Sequence, residues 1–215
     1  MDTTTKLQGT KLRIVEAALD LFARHGFDAV RVEQIAEEVG IKAPSLYKHF
    51  KSKQDIFDAA ITLMDQRHEA QVRALEMNLL DAERDAALMS TISEDALFEK
   101  VASMVRFAVH DEGYRQFRST LALAHQSNPS LAQRYEDRYL QLYLAYHTRL
   151  FAALMEANAL IKGDAEVIAL QYFTPILMAM GTIERQPEQE AEVMELVRRH
   201  VHQFLLAYRP ATPEA

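Results

Sequence analysis

Residues 32–53 read VEQIAEEVGIKAPSLYKHFKSK. Ile35, Ala36 and Val39 share one face of a short helix spanning Val32–Val39. Gly40-Ile41-Lys42 is a tight turn in which Gly40 supplies a backbone conformation that a Cβ would penalise. Pro44 suits the first turn of a further helix, Ala43–Phe50, whose Leu46 and Phe50 face inward. That helix exposes Ala43, Pro44, Ser45, Tyr47, Lys48 and His49. Two short helices joined by a Gly-containing turn make a helix-turn-helix, whose second helix fits a DNA major groove. From Gly40 to Gln54 the chain carries Lys42, Lys48, Lys51, Lys53 and His49, and no acid. Phosphates reward such charge through counterion release. Spacing alone also allows a plain three-helix subdomain with a solvated lysine face.

Outward from this stretch the chain reads as helix after helix. Val15, Ala18, Leu19 and Phe22 mark an amphipathic helix from Thr10 to His25, capped by Gly26. Ser52 opens a fourth helix carrying Ile56, Ala60, Leu63 and Met64. Later helices are expected over Glu94–Asp111, Tyr114–Gln126, Ser130–Asn158, Asp164–Ile183 and from Pro187 to Tyr208. No stretch alternates with period two, so the fold class is all-α.

Composition excludes several chemistries. The 215 residues include no Cys, which removes disulfides, thiolate metal sites and Cys nucleophiles. The eight His show no H-x-x-x-H or H-E-x-x-H spacing, so no metal is expected. Nucleophile elbows, Gly-rich phosphate loops and dinucleotide fingerprints are absent, and no cofactor is expected. The N-terminus is not a signal peptide, and the uncharged run Val167–Ile183 is short of the ~20 apolar residues of a membrane span. It reads as a buried helix in a cytoplasmic protein without membrane contact. The net charge of −7 is uneven: residues 1–55 balance nine Lys/Arg against eight Asp/Glu, and the remainder fifteen against twenty-three. An acidic body with one basic spot suggests a small docking surface for an anion.

The stretch Gly26-Phe27, Val32 to Ile41 and Ser45 to Lys53 closely resembles the DNA-binding head of the TetR family of transcriptional repressors. The resemblance, centred on IA…VG…LYxHFxSK, implies a helix-turn-helix domain at residues 8–68 with the motif near 31–50. It implies an effector-binding and dimerisation body at 69–208 and a tail at 209–215. By resemblance, Ala43, Pro44, Ser45 and Lys48 lie nearest base edges, and Tyr47 and Lys53 hold phosphate. With Lys42, His49 and Lys51 they form the expected DNA-binding set. Lys42 stands where relatives often have Ser or Thr, and Glu33 where some have a basic residue.

In the body, Tyr135, Tyr139, Tyr143 and His147 recur every four residues, with Tyr146 alongside. Tyr139, Tyr143 and His147 are candidate walls of a ligand pocket, joined by Phe98, Met104, Phe107, Phe117, Leu121 and His125. Ordinary helix packing is the alternative for each residue taken singly. Leu170, Phe173, Leu177, Met178, Val197 and Phe204 are the candidate dimer interface, which the resemblance places on the last two long helices. The resulting expectation is a homodimeric, ligand-responsive repressor that binds a palindromic operator and is released by a small molecule. It is not expected to be an enzyme. An all-α enzyme and a helical protein-interaction module are the alternatives.

Overall fold

The computed structural model describes residues 8–124, 129, 133 and 136–210. Those residues contain helices and no strand. They are divided between two compact units, the first drawn from Met1–Ala70 and Asp111–Tyr135, the second from Gln71–His110 and Glu136–Ala215.

In the first unit, α1 (Thr10–His25) buries Ile14, Val15, Ala18, Leu19, Leu21 and Phe22. Gly26 ends it with φ 82°. α2 (Val32–Val39) starts where the Gln34 side chain accepts the Arg31 backbone N–H at 2.8 Å. It ends at Gly40, φ 75° and ψ 34°, a left-handed conformation that favours glycine. α3 is shorter than the periodicity predicts, Ala43–Leu46 instead of Ala43–Phe50. Beyond Leu46 the Lys48 and His49 N–H groups bond three residues back rather than four. The chain tightens there so that Phe50 can turn into the core.

α4 (Lys53–Ala74) begins with the Ser52 hydroxyl accepting the Asp55 N–H at 3.0 Å, the expected cap. α7 (Glu112–Ala124) closes the unit, with Phe117 and Leu121 buried. Phe22, Phe27, Phe57 and Phe117 form a ring cluster with centroids 5.1–6.1 Å apart, the spacing of tilted and edge-on aromatic pairs. Arg67 of α4 pairs with Glu16 of α1 and with Asp111, each at 3.4 Å.

The second unit contains α5 (Ala82–Met89), α6 (Glu94–His110), α8 (Leu142–Glu156), α9 (Ala165–Arg185) and α10 (Glu190–Tyr208). A π-helical turn, Asp137–Gln141, precedes α8, and a short 3-10 turn, Pro187–Gln189, precedes α10. Asp164 caps α9 by accepting the Glu166 and Val167 N–H groups at 3.0 and 3.2 Å. α9 passes through Pro175 without interruption. The core is aromatic along α8–α9–α10: Tyr143 stacks on Phe173 at 5.3 Å, and Tyr172 meets Phe204 at 4.8 Å.

α9 is also long and apolar enough to cross a membrane by length and composition. Only one face of it is buried in the single chain, through residues including Ile168, Tyr172, Phe173, Ile176 and Ile183. Val167, Leu170 and Met178 on its other side are exposed in the single chain.

Candidate nucleic-acid interface

The head presents α3 as a short bracket held from behind. Leu46 is fully buried, and Ile35 and Ala36 of α2 are buried in the same unit. The Arg13 guanidinium of α1 donates to the Val39 carbonyl at 2.6 Å, satisfying an acceptor that the end of α2 leaves without a helical donor. Sequence patterning did not single out Arg13, because its partner is a backbone atom twenty-six residues away.

On this support Lys42, Pro44, Tyr47, Lys48 and Lys51 are exposed, and Ala43, Ser45 and His49 are half-buried. Tyr47 keeps 48% of its surface, unusual for a large aromatic and a fit for a hydroxyl offered outward. The side chains of Lys42, Lys48 and Lys51 make no ion pair or hydrogen bond among the described residues, which leaves three cations facing solvent.

Lys53 is placed differently from its expectation. Its ammonium donates to the carbonyls of Phe27, Asp28 and Val30 at 2.7, 3.3 and 2.8 Å. It also lies 4.4 Å from the centre of the Phe27 ring. An ammonium has three donors, and all three are used. Burial lowers its pKa below the ordinary lysine value, with Asp28 opposing the shift. Lys53 is thus a tether between the start of α4 and the α1–α2 loop rather than a free phosphate ligand. The sequence showed the charge but not the folded-back carbonyls that claim it.

The expected ligand-pocket residues separate. Phe117 and Leu121 belong to the core of the first unit, where Phe117 packs against Phe57. Phe98 is buried in the second unit, its ring covered by the Arg198 guanidinium at 3.8 Å. Met104 and Phe107 are half-buried on α6. Tyr143 and His147 do come together, both stacked on Phe173, at 5.3 and 5.5 Å. His125 and the Tyr139 side chain lie outside the described residues, as does Tyr135.

The imidazole of His147 also neighbours Tyr146, Phe151 and Tyr172, and its Nδ1 bonds the Tyr143 carbonyl at 2.8 Å. Burial pushes its pKa down to about 4, outweighing that hydrogen bond.

The expected interface residues separate as well. Leu170 and Met178 are exposed, at 53% and 59%, and Leu177 is half-buried. Phe173, Val197 and Phe204 are buried in the subunit's own core, because the α9 and α10 positions they occupy point toward α8 or toward each other's helix. Leu196 and Leu206 of α10 are exposed instead. Beside Met178 a cleft of about 260 Å³ opens between α9 and α10, lined by Pro175, Ala179, Val193, Leu196 and His200 among others.

Residues 14–60 match the family described as bacterial regulatory proteins, tetR family. The HTH-type transcriptional activator FasR of Mycolicibacterium smegmatis is 31% identical over 104 residues, 48% of this chain and 42% of that one. The chain therefore spans less than half the length of this curated relative. A TetR family transcriptional regulator from Pseudomonas syringae has the same fold, with TM-score 0.63, 18% identity and coverage of 98% and 100% of the two chains. SmeT, the repressor of the Stenotrophomonas maltophilia multidrug efflux pump SmeDEF, superposes with TM-score 0.63 at 19% identity, over 97% of this chain and 96% of its own. SmeT is also known in complex with triclosan. The signature in the head thus matches the tetR family of bacterial regulatory proteins over residues 14–60, and the all-helical architecture is the fold that these solved structures share.

Proposed function

We propose that the protein is a cytoplasmic, homodimeric repressor whose two heads bind a palindromic operator and whose body binds a small-molecule effector that releases it. The observation that carries this reading is the bracket of α3: Tyr47, Lys42, Lys48 and Lys51 face solvent over a fully buried Leu46, with no acid between Gly40 and Gln54. An enzyme or a protein-interaction module has no need of that arrangement, and the family consists of regulators. The head is read as residues 8–68 and the body as 69–208, with α7 serving the core of the first unit.

Lys48 and Lys51 supply phosphate charge, Tyr47 a hydroxyl to phosphate, and Ala43, Pro44, Ser45 and Lys48 the base-edge contacts. Lys42 and His49 flank them. Glu33, exposed on α2, limits that helix to a bracing role. One head alone is a small footprint. Two heads held at fixed spacing turn the second contact into an intramolecular event. Val167, Leu170, Met178, Leu196 and Leu206 on α9 and α10 are the exposed apolar groups on which a second copy would pack, with Leu177 at the margin. An effector that favours the body shape with misplaced heads weakens DNA binding by the factor with which DNA weakens effector binding. SmeT, a repressor that takes up triclosan, supports the reading by analogy of fold.

A gel shift against the DNA upstream of the protein's own gene tests the reading, and a reporter fused to that DNA gives its sign. The salt dependence is expected to locate the contacts. Lys51→Ala will reduce the slope of log K against log salt by about 1 per head, while Lys53→Ala, whose ammonium is already committed, will weaken folding of the head and leave the slope in place. Ser45→Ala and Lys48→Ala will lose ~1–3 kcal/mol of discrimination at particular base pairs. Uniform weakening over all operator variants would move Ser45 and Lys48 to backbone contacts.

A further inference from the structure

The charges of α10 sort onto two flanks of the helix. Arg198 pairs with Asp95 at 3.1 Å and covers the Phe98 ring of α6. His202 meets Glu94 at 2.9 Å, and Glu190 meets His110 at 2.8 Å. Those groups are spent on α6 within the chain. Glu192 and Arg199 are exposed on the other flank, in the lining of the cleft beside Met178 and Leu196. Neither makes an ion pair or hydrogen bond among the described residues. The remaining titratable group of that lining, His200, donates from Nε2 to the Tyr172 carbonyl at 2.9 Å.

Their spacing explains why they do not pair with each other. Two turns of helix bring both to one stripe but leave them ~10 Å apart along the axis, past the neighbours that an i,i+3 or i,i+4 pair joins. α9 offers neither a partner, since Val167–Ile183 carries no charge. Two opposite charges with Leu196 between them are nevertheless self-complementary. In an isologous two-fold contact, residue i meets residue j of the second copy and j meets i. A two-fold axis beside Leu196, with the two copies of α10 antiparallel, sets Glu192 of each subunit against Arg199 of the other. Parallel copies would set like charge against like. Leu196 and Met178, 46% and 59% exposed, supply the apolar contact around the charges.

We propose that Glu192 and Arg199 form two reciprocal ion pairs between copies of this chain, centred on Leu196, which fix an antiparallel register and select self over other partners. This rests on the reading of the protein as a homodimer through α9 and α10, and names the residues that decide which chain is accepted. An exposed ion pair adds little affinity, whereas like charges set against each other are disfavoured. The two residues therefore act by exclusion: a chain without the complementary order of charges is turned away.

The test uses the full chain in differently tagged copies, with self-association measured by sedimentation and mixtures weighed by native mass spectrometry. Arg199→Glu and Glu192→Arg are each expected to weaken self-association on the order of tenfold or more, because every such dimer holds two like-charge contacts. Mixed together, these two variants are expected to form mostly heterodimer rather than the statistical mixture. A chain carrying both changes is expected to pair with itself as the wild type does, and to avoid the wild type. Arg199→Gln, which brings no repulsion, is expected to keep dimerising and to accept the wild type and the doubly changed chain alike. Statistical mixing of the two single variants, or free mixing of the wild type with the doubly changed chain, overturns the proposal. Statistical mixing in a protein that Met178→Arg still turns into a monomer leaves the homodimer reading standing and overturns this one. A wild type that stays monomeric at every concentration overturns both.

Discussion

Met178→Arg is expected to give a folded monomer that no longer holds its operator. Met178 is 59% exposed, so a guanidinium there meets water in the single chain and costs the subunit little. In a pair of chains packed through α9 and α10 it would be buried without a partner. Losing the link between heads removes an effective-concentration gain of ~10²–10⁴, and operator affinity should fall by about that factor. Light scattering and a gel shift on the same sample check both halves. A Met178→Arg protein that stays dimeric and binds normally would move the interface off this face. Phe173→Arg is the wrong probe, because its ring lies between Tyr143 and His147 in the core and the change would unfold the body.

Acid is expected to loosen the body through His147. An unfolded histidine titrates near 6.5 and this one near 4 in the folded chain. Between those values the unfolded state holds a proton that the folded state does not, so stability falls as pH drops through that window and is fully present above 6.5. The slope from this residue is ~1.4 kcal/mol per pH unit. Denaturant titrations of the wild type and His147→Gln, compared across the window, isolate it. Identical acid slopes would show that the imidazole reaches water before unfolding.

Much of the fold was legible because the chain punctuates itself. Gly26, Gly40 and Asp164 fix the ends of α1, α2 and the start of α9, each through a local backbone requirement. α5 was missed: in Ala82–Met89 three alanines and three charged residues precede Leu88 and Met89, so it has no apolar stripe of its own, and it is placed by packing against α8. The basic face proposed for nucleic acid was legible because its charges are exposed and contiguous. The body sites were less so. A 3.6-residue period says which residues share a face and not which way that face turns, so Phe173 and Met178 looked equivalent until the core claimed one of them. The same limit hid Asp85, whose burial is decided by Tyr146, sixty-one residues away.

The ring cluster of Phe22, Phe27, Phe57 and Phe117 bears on how the head can be isolated. Three of the four rings come from the first sixty residues, but the fourth arrives on α7 after α5 and α6 have intervened. A fragment ending near residue 68 would keep every DNA-facing side chain and expose the flank of Phe57 that Phe117 covers. Such a fragment should be sticky and poorly dispersed in NMR spectra. Grafting the 112–124 segment back through a short linker should restore it. The independent genetic unit and the independent folding unit of this head are therefore different lengths of chain.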